Sequence, residues 1–572
     1  MKHKPLFILL SIIIAMSMVL AACGTTATEA PMEEPAVEEP AAEEPAAEEP
    51  AAEEPAAEEP AAEAPASNNM GGTLKLAESA VVQFDTPFIN DDASFHVASL
   101  VHVFLFRTLL DETGAESVVP ELAKSWDLEE DGKVVIFHLN EGWTFQDGND
   151  VFAEGEGREI TAEDVAYSID RMVNIEGSSG PSDLLANFES VEAVDTYTVR
   201  LTLTKPDAIL FASGRGLTSS AILPKEAVEA AGDNWGLNPI GGGPFEFVEY
   251  VADDHVTLQR NEDYIYTPNL DEVVFQIIPD EDVQAISLEA RDVHVMNLSQ
   301  YSTFQQFEGL DGYNLYSANC PYSYNIMFDL KNELLQDIQV REAIAHAISG
   351  NAIMKNEFGG MSVEGCGTAG PGIPGHVSDL CDLFTYDVTL TDQLMTEAGW
   401  EKNADGIWEK DGQTFTVDFE VWNMSPAPSI ATAATTQLKE AGFDVTMVEV
   451  EFGTWIEDAL GDSTQKPLMM WSGFCGEGGL DGFWGSTGLA PAWGFADEEV
   501  FGLLDSANQM VDAAEREATL QQATRKIFET YADIPFGFAT SYWVTLDTVQ
   551  DWRVTMWYNN IVTSENNTWL SE

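Results

Sequence analysis

Basic side chains are scarce in this sequence. Its 572 residues contain 25 lysines and arginines against 98 aspartates and glutamates, a formal net charge of −73 at pH 7. The excess is not confined to one segment, because 84 acids against 23 bases remain in residues 71–572. Such a charge repels nucleic acids and anionic lipid surfaces and favours solubility in salt. We therefore expect no nucleic-acid partner, and we interpret the acidity as a general surface property suited to a saline or hot habitat.

Metal-binding and catalytic patterns are also missing. The eight histidines are scattered, and the nearest pair, His96 and His102, lacks the spacing that puts two ligands on one helix face. The five cysteines are too dispersed for a zinc set, and neither a G-x-S-x-G nor a P-loop motif occurs. With 98 acids, a glycosidase-like carboxylate pair could be nominated anywhere. The sequence predicts no metal site, no cofactor, no catalytic residue and no enzyme; a secreted hydrolase is the less favoured alternative.

The N-terminus carries a secretory pattern. Lys2 and Lys4 precede an apolar run, Leu6–Val19, which is followed by Leu-Ala-Ala-Cys-Gly. A positive region, an apolar core and small residues at the end are typical of a signal peptide, here residues 1–22. The last five residues resemble a bacterial lipobox, which implies cleavage before Cys23 and lipidation of its thiol. A retained transmembrane helix is the alternative.

A low-complexity segment follows the cysteine. Residues 29–65 repeat Glu-Glu-Pro-Ala-Ala, and 14 glutamates but no lysine or arginine lie between Gly24 and Met70. Proline and mutually repelling glutamates disfavour compaction, and nothing in the segment could build a core. We predict that residues 23–70 form a disordered tether, which would reach roughly 145 Å if fully extended as polyproline II.

A glycine-rich and aromatic-rich stretch, Trp471–Trp484 (WSGFCGEGGLDGFW), is the strongest candidate for a binding loop. Glycines let the backbone approach a ligand closely, and aromatic faces supply apolar area with specific geometry. An acid held among them would be a poorly solvated carboxylate that favours a cationic partner. An ordinary surface turn after the apolar strand Pro467–Trp471 is the alternative.

Several motifs of the remaining chain occur in the order of one known family. The first group reads Pro120, Leu122, Ala123, Ser125, Trp126, Asp131, Gly132, Phe137, Leu139, Gly142, Phe145, Asp147, Gly148, Thr161, Ala162, Asp164, Val165, Tyr167, Ser168 and Arg171. Later segments in the same order are Gly241–Phe245, Arg260–Tyr264, Pro279–Val293, Tyr324–Phe328, Asp337–Ile348, Leu394–Trp400, Asp405-Gly406, Gln437–Val445 and Asp533–Pro535. This pattern resembles the extracytoplasmic solute-binding proteins of ABC importers, specifically the dipeptide/oligopeptide-binding family 5. The sequence departs from the pattern at Asn140, where the family usually has arginine, and by an insertion at about Val151–Glu159.

The resemblance implies a fold. Strand-like and amphipathic helical runs alternate, for example at Gln339–Ile348 and Val500–Gln522, as in α/β proteins. By resemblance the fold is a two-lobed periplasmic-binding-protein fold, type II of the large cluster with an extra subdomain, and the ligand cleft lies between the lobes. The expected divisions are 71–109, 235–317 and 539–572 for lobe I, 110–234 for the extra subdomain, and 318–538 for lobe II. Strands near Asn319–Phe328 and Ile534–Thr540 would form a two-strand hinge.

Four cysteines follow Cys23, and an even set in an exported protein indicates disulfides with three possible connectivities. Cys366 and Cys381 are close in sequence, on either side of turn-rich residues, so we pair them. Cys320 and Cys475 then pair, and oligopeptide-binding relatives have a cysteine at each of these two places.

The resemblance also implies a role and a ligand. The protein would be the binding protein of an ABC importer, capturing a di- or oligopeptide by hinge closure and delivering it to the permease subunits without breaking a bond. Glu477 falls where peptide binders place the acid that pairs with the ligand's α-ammonium. The other candidate ligand contacts are Phe474, Cys475, Gly476, Trp471, Trp484, Trp422, Tyr324 and Asn325. The alternative ligand is an oligosaccharide, with Trp422, Trp471, Trp484 and Trp493 as stacking platforms.

The same resemblance implies a location and a state of assembly. Lipidated at Cys23, the protein would be anchored to the outer face of the cytoplasmic membrane, on the periplasmic side or at the cell surface. We expect a monomer.

Overall fold

The structure is a computed structural model of the chain. It describes residues 70–89, 91–110, 116–152, 155–176, 187–211, 216–298, 300–460, 466–474, 478–510, 512–553 and 561–571. The predicted signal peptide, Cys23 and the tether therefore lie outside the described residues.

The secondary structure alternates strands and helices, as the sequence predicts. The strands are β1 (Thr73–Glu78), β2 (Val103–Phe104), β3 (Phe106–Leu110), β4 (Glu116–Pro120), β5 (Ala123–Glu129), β6 (Val134–Leu139), β7 (Phe188–Asp195), β8 (Thr198–Leu203), β9 (Ala221–Ile222), β10 (Phe245–Val251), β11 (His255–Arg260), β12 (Glu272–Ile277), β13 (Val295–Leu298), β14 (Tyr313–Phe328), β15 (Glu401–Lys402), β16 (Trp408–Lys410), β17 (Gln413–Thr414), β18 (Thr416–Trp422), β19 (Asp444–Val450), β20 (Leu468–Phe474), β21 (Asp533–Leu546), β22 (Val549–Gln550) and β23 (Trp569–Leu570).

The α-helices are α1 (Asp92–Val101), α2 (Ala162–Asn174), α3 (Lys225–Ala231), α4 (Glu281–Glu289), α5 (Tyr301–Phe304), α6 (Ile338–His346), α7 (Gly350–Glu357), α8 (Val388–Glu397), α9 (Ala427–Glu440), α10 (Phe452–Leu460), α11 (Gly478–Trp484), α12 (Glu498–Ala507) and α13 (Ala513–Phe528).

Two long antiparallel strands lie in the middle of the largest sheet. Its strand order is β10-β11-β12-β1-β13-β21-β14-β20-β18-β19, so β21 and β14 connect the strands on either side. They are longer than the predicted hinge strands, because their pairing runs from Tyr313↔Leu546 to Met327↔Asp533. The register shifts between Asn319 and Ser323, which interrupts the ladder where the chain crosses from one side to the other.

Two large hydrophobic cores pack against the largest sheet. Core 1 contains buried residues of β1, β6, β8, β10 and β12, such as Leu76 and Phe275. Core 2 contains residues of β18, β20, α9, α12 and α13, such as Phe419, and extends along β14 and β21. It continues past the crossing strands to β1, α4 and β13, where Ala77 and Leu288 belong to it. Core 1 therefore lies on one side of the crossing, whereas core 2 runs along both sides.

A four-stranded sheet, β5-β6-β8-β7, and helix α2 form the structure around the first family motifs. The Asp-Gly motif forms the turn of a hairpin, because β5 pairs antiparallel with β6 around Asp131 and Gly132, both at positive φ. Helix α2 begins with a capping box: the Thr161 backbone N–H donates to Asp164 Oδ2 at 2.9 Å. Arg158, contributed by the insertion, donates to the same carboxylate, which fixes the inserted loop against α2.

One predicted helical run is wrong. Val500–Gln522 reads as one amphipathic pattern, but α12 ends at Ala507 and a second helix, α13, begins at Ala513. The Asp512 side chain accepts hydrogen bonds from the backbone N–H groups of Ala514 and Glu515, so it acts as an N-cap inside the apparent run.

Candidate functional site

The candidate binding loop follows the carboxyl end of a strand. β18 and β20 are parallel neighbours, and their carboxyl ends, Trp422 and Phe474, lie at the same edge of the sheet. Ligands of α/β proteins bind preferentially at such edges. The stretch Trp471–Trp484 comprises the end of β20, three residues outside the described part, and helix α11. It is therefore a strand-to-helix connection at this edge.

The middle of that stretch, residues 475–477, lies outside the part of the chain that the structure describes. Cys475, Gly476 and Glu477 lie outside the described residues, as does the side chain of Phe474. Their roles as ligand contacts stay predictions, and so does the Cys320–Cys475 disulfide. β14 and β20 pair as far as Tyr322↔Phe474, one residue before that cysteine.

The other predicted disulfide joins two turns of the second half of the chain. The Sγ atoms of Cys366 and Cys381 lie 2.22 Å apart and their Cα atoms 5.0 Å apart, which is bonding geometry. The prediction of this pair is confirmed. The Asn351 side-chain amide contacts both sulfur atoms, so the bond also holds α7 against this segment.

Tyr324 lies on β14 beneath the edge. Its ring is buried and stacks on Trp422, with centroids 6.4 Å apart and planes at 26°. Burial raises the pKa of the phenol above its ordinary value, while a hydrogen bond with the Ser472 side chain partly opposes the shift. The hydroxyl therefore stays protonated at neutral pH, where it can donate a hydrogen bond.

Glu357, at the end of α7, is a neighbour of Tyr324 that the sequence did not indicate. Burial raises the pKa of this carboxyl, and a hydrogen bond with the Ser429 side chain opposes the rise. The ionised carboxylate also contributes to the raised pKa of the Tyr324 phenol. No local sequence pattern identifies Glu357, because its partners Tyr324 and Ser429 lie on β14 and α9, away from it in the chain.

The predicted tryptophans are packed inside core 2. Trp422, Trp471 and Trp484 are at most 5% exposed, as is Trp493. Successive rings are in contact, with centroid distances of 4.9 to 5.3 Å along Trp422, Trp455, Trp471, Phe483 and Trp484. The Trp484 indole N–H also donates to Thr368 Oγ1 at 3.0 Å. In this structure these rings form an aromatic layer that supports the edge; ligand contact by any of them stays a prediction.

Asn325 is engaged inside the crossing strands. Its Nδ2 donates to Asp533 Oδ2 at 2.6 Å, and both residues are buried. Burial raises the pKa of the Asp533 carboxyl well above its ordinary value. Among the described residues, Oδ1 of each side chain has no hydrogen-bond partner. This buried pair joins β14 to the first residue of β21, so the structure assigns Asn325 a role in the hinge, and its contact with ligand stays a prediction.

A groove of about 720 Å³ lies elsewhere on the core 2 side, between residues 372–379 and α13. Arg525 and Asp379 form an ion pair beside it, and Glu517 accepts a hydrogen bond from the Gly375 backbone N–H at 2.9 Å. No sequence pattern indicates this groove, because its two walls lie about 140 residues apart in the chain.

Within the described residues, no group of three or more histidine, cysteine, aspartate or glutamate side chains is arranged to hold a metal ion. The same part of the chain contains no helix long and apolar enough to cross a membrane.

Residues 117–488 match the bacterial extracellular solute-binding proteins, family 5 Middle. The chain belongs to this family. The dipeptide-binding protein of Escherichia coli (strain K12) is 29% identical to this family member over 402 residues, covering 65% of this chain and 71% of the relative. The oligopeptide-binding protein AppA of Bacillus subtilis (strain 168) is 27% identical over 475 residues, which cover 80% of this chain and 83% of the relative.

The fold agrees with this family membership. The solved structure of AppA from Bacillus subtilis in complex with a nonapeptide superposes with a TM-score of 0.70 at 23% identity, covering 88% of this chain and 99% of that one. The α/β, two-lobed periplasmic-binding-protein fold predicted from the motifs is thereby confirmed.

Proposed function

We propose that this family member captures a di- or oligopeptide between its lobes and delivers it to the permease of an ABC importer. The observation that carries the proposal is the pair of long crossing strands, β14 and β21, which join the two parts of the ten-stranded sheet on either side of them. A ligand held between the two parts favours the closed arrangement, because only that arrangement makes both sets of contacts. The peptide class is supported by the names of the two relatives.

The lobe divisions remain those expected from the motifs: 71–109, 235–317 and 539–572 for lobe I, 110–234 for the extra subdomain, and 318–538 for lobe II. Core 1 supports this division, because its buried members all come from the ranges expected for lobe I and the extra subdomain. The four-stranded sheet with α2 supports the extra subdomain. The break in the β14–β21 ladder after Asn319 supports a hinge near the division at residue 318.

The mode of attachment is part of the proposal. Residues 1–22 would be removed, Cys23 would carry the lipid, and residues 23–70 would tether the binding module to the outer face of the cytoplasmic membrane. We propose that the module acts as a monomer and that its ligand leaves chemically unchanged. Mass spectrometry of ligand recovered from the protein tests the last point, since cleaved peptide would indicate an enzyme.

Glu477 is the proposed partner of the peptide α-ammonium. A carboxylate poorly solvated among glycines and aromatic rings forms a strong charge-assisted hydrogen bond with such a cation. Removing the charge with Glu477→Gln should weaken peptide binding more than tenfold. Glu457→Gln is the matched control, because Glu457 is an exposed glutamate of α10 in the same lobe.

The experiment that tests the function is thermal unfolding with a panel of peptides and oligosaccharides. A ligand of the folded state raises the melting temperature in proportion to the logarithm of its concentration. Stabilisation by peptides, lost in Glu477→Gln and kept in Glu457→Gln, supports the proposal. Stabilisation by sugars alone would replace peptide by oligosaccharide as the ligand, although burial of the four tryptophans leaves no structural observation in favour of that class.

A further inference from the structure

The two sides of the protein meet at a second place besides the crossing strands. The segment that follows β8, on the core 1 side, contacts the end of α12, on the core 2 side. Lys205 Nζ lies 2.6 Å from Asp505 Oδ1, and the Ala208 backbone N–H donates to the Asn508 carbonyl oxygen at 2.8 Å. A cation at the carboxyl end of a helix is favoured by the helix dipole, so Lys205 suits its place beside α12.

Two half-buried carboxyl groups lie beside the same contact. Asp207 precedes Ala208, and Asp481 lies on α11. Burial is the largest cause of the raised pKa of both carboxyls. Asp207 accepts hydrogen bonds from Asn187 Nδ2 at 2.8 Å and from the Ile209 backbone N–H at 3.2 Å.

The charged groups around these carboxyls come from two elements. Lys205, on the same segment as Asp207, lowers the pKa of both carboxyls, and Asp505 of α12 raises that of Asp481. The Asn508 side chain, at the end of α12, hydrogen-bonds Asp481 and lowers its pKa. Lys205 therefore lies among three carboxyls at this contact.

Helix α11 connects this contact to the candidate binding loop. Asp481 lies on the first turn of α11, and the three residues before that helix are Cys475, Gly476 and Glu477. A ligand that positions the loop therefore positions α11, and α11 packs against α12, the helix that carries the Asp505 side of the contact.

We propose that this contact is an interlobe latch, formed when the lobes close on a peptide. The latch comprises Lys205, Ala208, Asp505 and Asn508. It deepens the proposed function and rests on it, since a latch of this kind stabilises the closed, ligand-holding arrangement. These residues affect the affinity for ligand by positioning the two lobes, and they do not need to contact the ligand themselves.

The first test reverses one charge of the latch. Lys205→Glu places two carboxylates at the end of α12, and the double variant Lys205→Glu/Asp505→Lys restores an ion pair with its signs exchanged. Lys225→Glu is the control, because Lys225 pairs with Glu229 within α3 and is similarly exposed. The probes are trialanine and pentaalanine, titrated by calorimetry into the full-length protein. We expect about three- to tenfold weaker binding for Lys205→Glu, recovery in the double variant and no change in the control.

Small-angle scattering of the same proteins tests the latch independently of which ligand the protein binds. Without the latch the lobes spend more time apart, so Lys205→Glu should have a larger radius of gyration than the control, and the double variant should recover. If neither peptide binds but this difference is seen, the proposed ligand is wrong and the latch stands. If Lys205→Glu matches the control in scattering and in any peptide affinity, the latch is wrong.

Discussion

Replacing Glu420 with glutamine should stabilise the protein above pH 7 and leave it nearly unchanged near pH 4.5. Glu420 lies on β18 and is fully buried. Burial raises the pKa of this carboxyl to about 7, with the charge of the Asp458 carboxyl as the next cause; a hydrogen bond with Asp458 and the charge of Asp418 add to the rise, and Lys466 opposes it.

The sign and size follow from proton linkage. A carboxyl with a higher pKa in the folded state binds its proton more tightly there, so folding is favoured at low pH. That advantage is lost as the pH rises from about 4.5, where the unfolded chain ionises, to about 7. At about 1.4 kcal/mol for each pKa unit, the loss is roughly 3 to 4 kcal/mol. The glutamine of Glu420→Gln does not ionise, so this variant should not lose that stability.

The measurement is thermal unfolding from pH 4.5 to pH 8.5. A folded module of about 500 residues has an unfolding entropy of about 1 kcal/mol/K, so the expected gain at high pH is about 3 to 4 °C. Glu440→Gln, at the exposed end of α9, is the control and should follow the unaltered protein at every pH. An equal pH dependence in Glu420→Gln and the control would refute the buried-carboxyl reasoning.

Three further substitutions test the packing around the site. Replacing both Cys366 and Cys381 by serine opens a loop of 15 residues and should lower the free energy of unfolding by about 3 kcal/mol in urea titrations; an unchanged value would mean that the bond does not form. Trp484→Ala leaves a cavity in core 2 and should cost about 3 to 5 kcal/mol, whereas a cost below about 1 kcal/mol would place the ring outside the core. Glu121→Gln leaves the buried Arg107 guanidinium without its carboxylate, 2.9 Å away, and should cost about 3 to 5 kcal/mol by the same measurement, unless the pair is solvated.

The fold could be predicted because its signals are local and ordered. β6, Val134–Leu139, coincides with a run rich in β-branched residues that ends at a turn on one side and at Asn140 on the other. The capping box at Thr161 needs only two residues three apart. The split of Val500–Gln522 was missed because one periodicity continues across Asp512, and only the capping geometry reveals the break.

The site was harder to predict because its decisive contacts are distant in the sequence. The sequence predicts Trp422 and Trp484 as possible ligand platforms. A buried core ring and a ligand-contacting ring require the same apolar surroundings, so the two cases look identical in a sequence. Asn325 meets its partner Asp533 across 208 residues, and Lys205 meets Asp505 across 300. No periodicity or motif spans such separations, so these pairs appear only once the chain is folded.

The pairing of β13 with β21 has a consequence for the order in which the chain folds. Val295 pairs with Thr545, so a strand from the middle of the chain completes its hydrogen bonds only with one near the end. Most of core 2 is built from the residues between them, whose contacts close shorter loops. We expect that side to fold early as an insert, while the sheet around core 1 waits with an open strand edge. A chain emerging from export would then depend on its last hundred residues to protect its first lobe from aggregation.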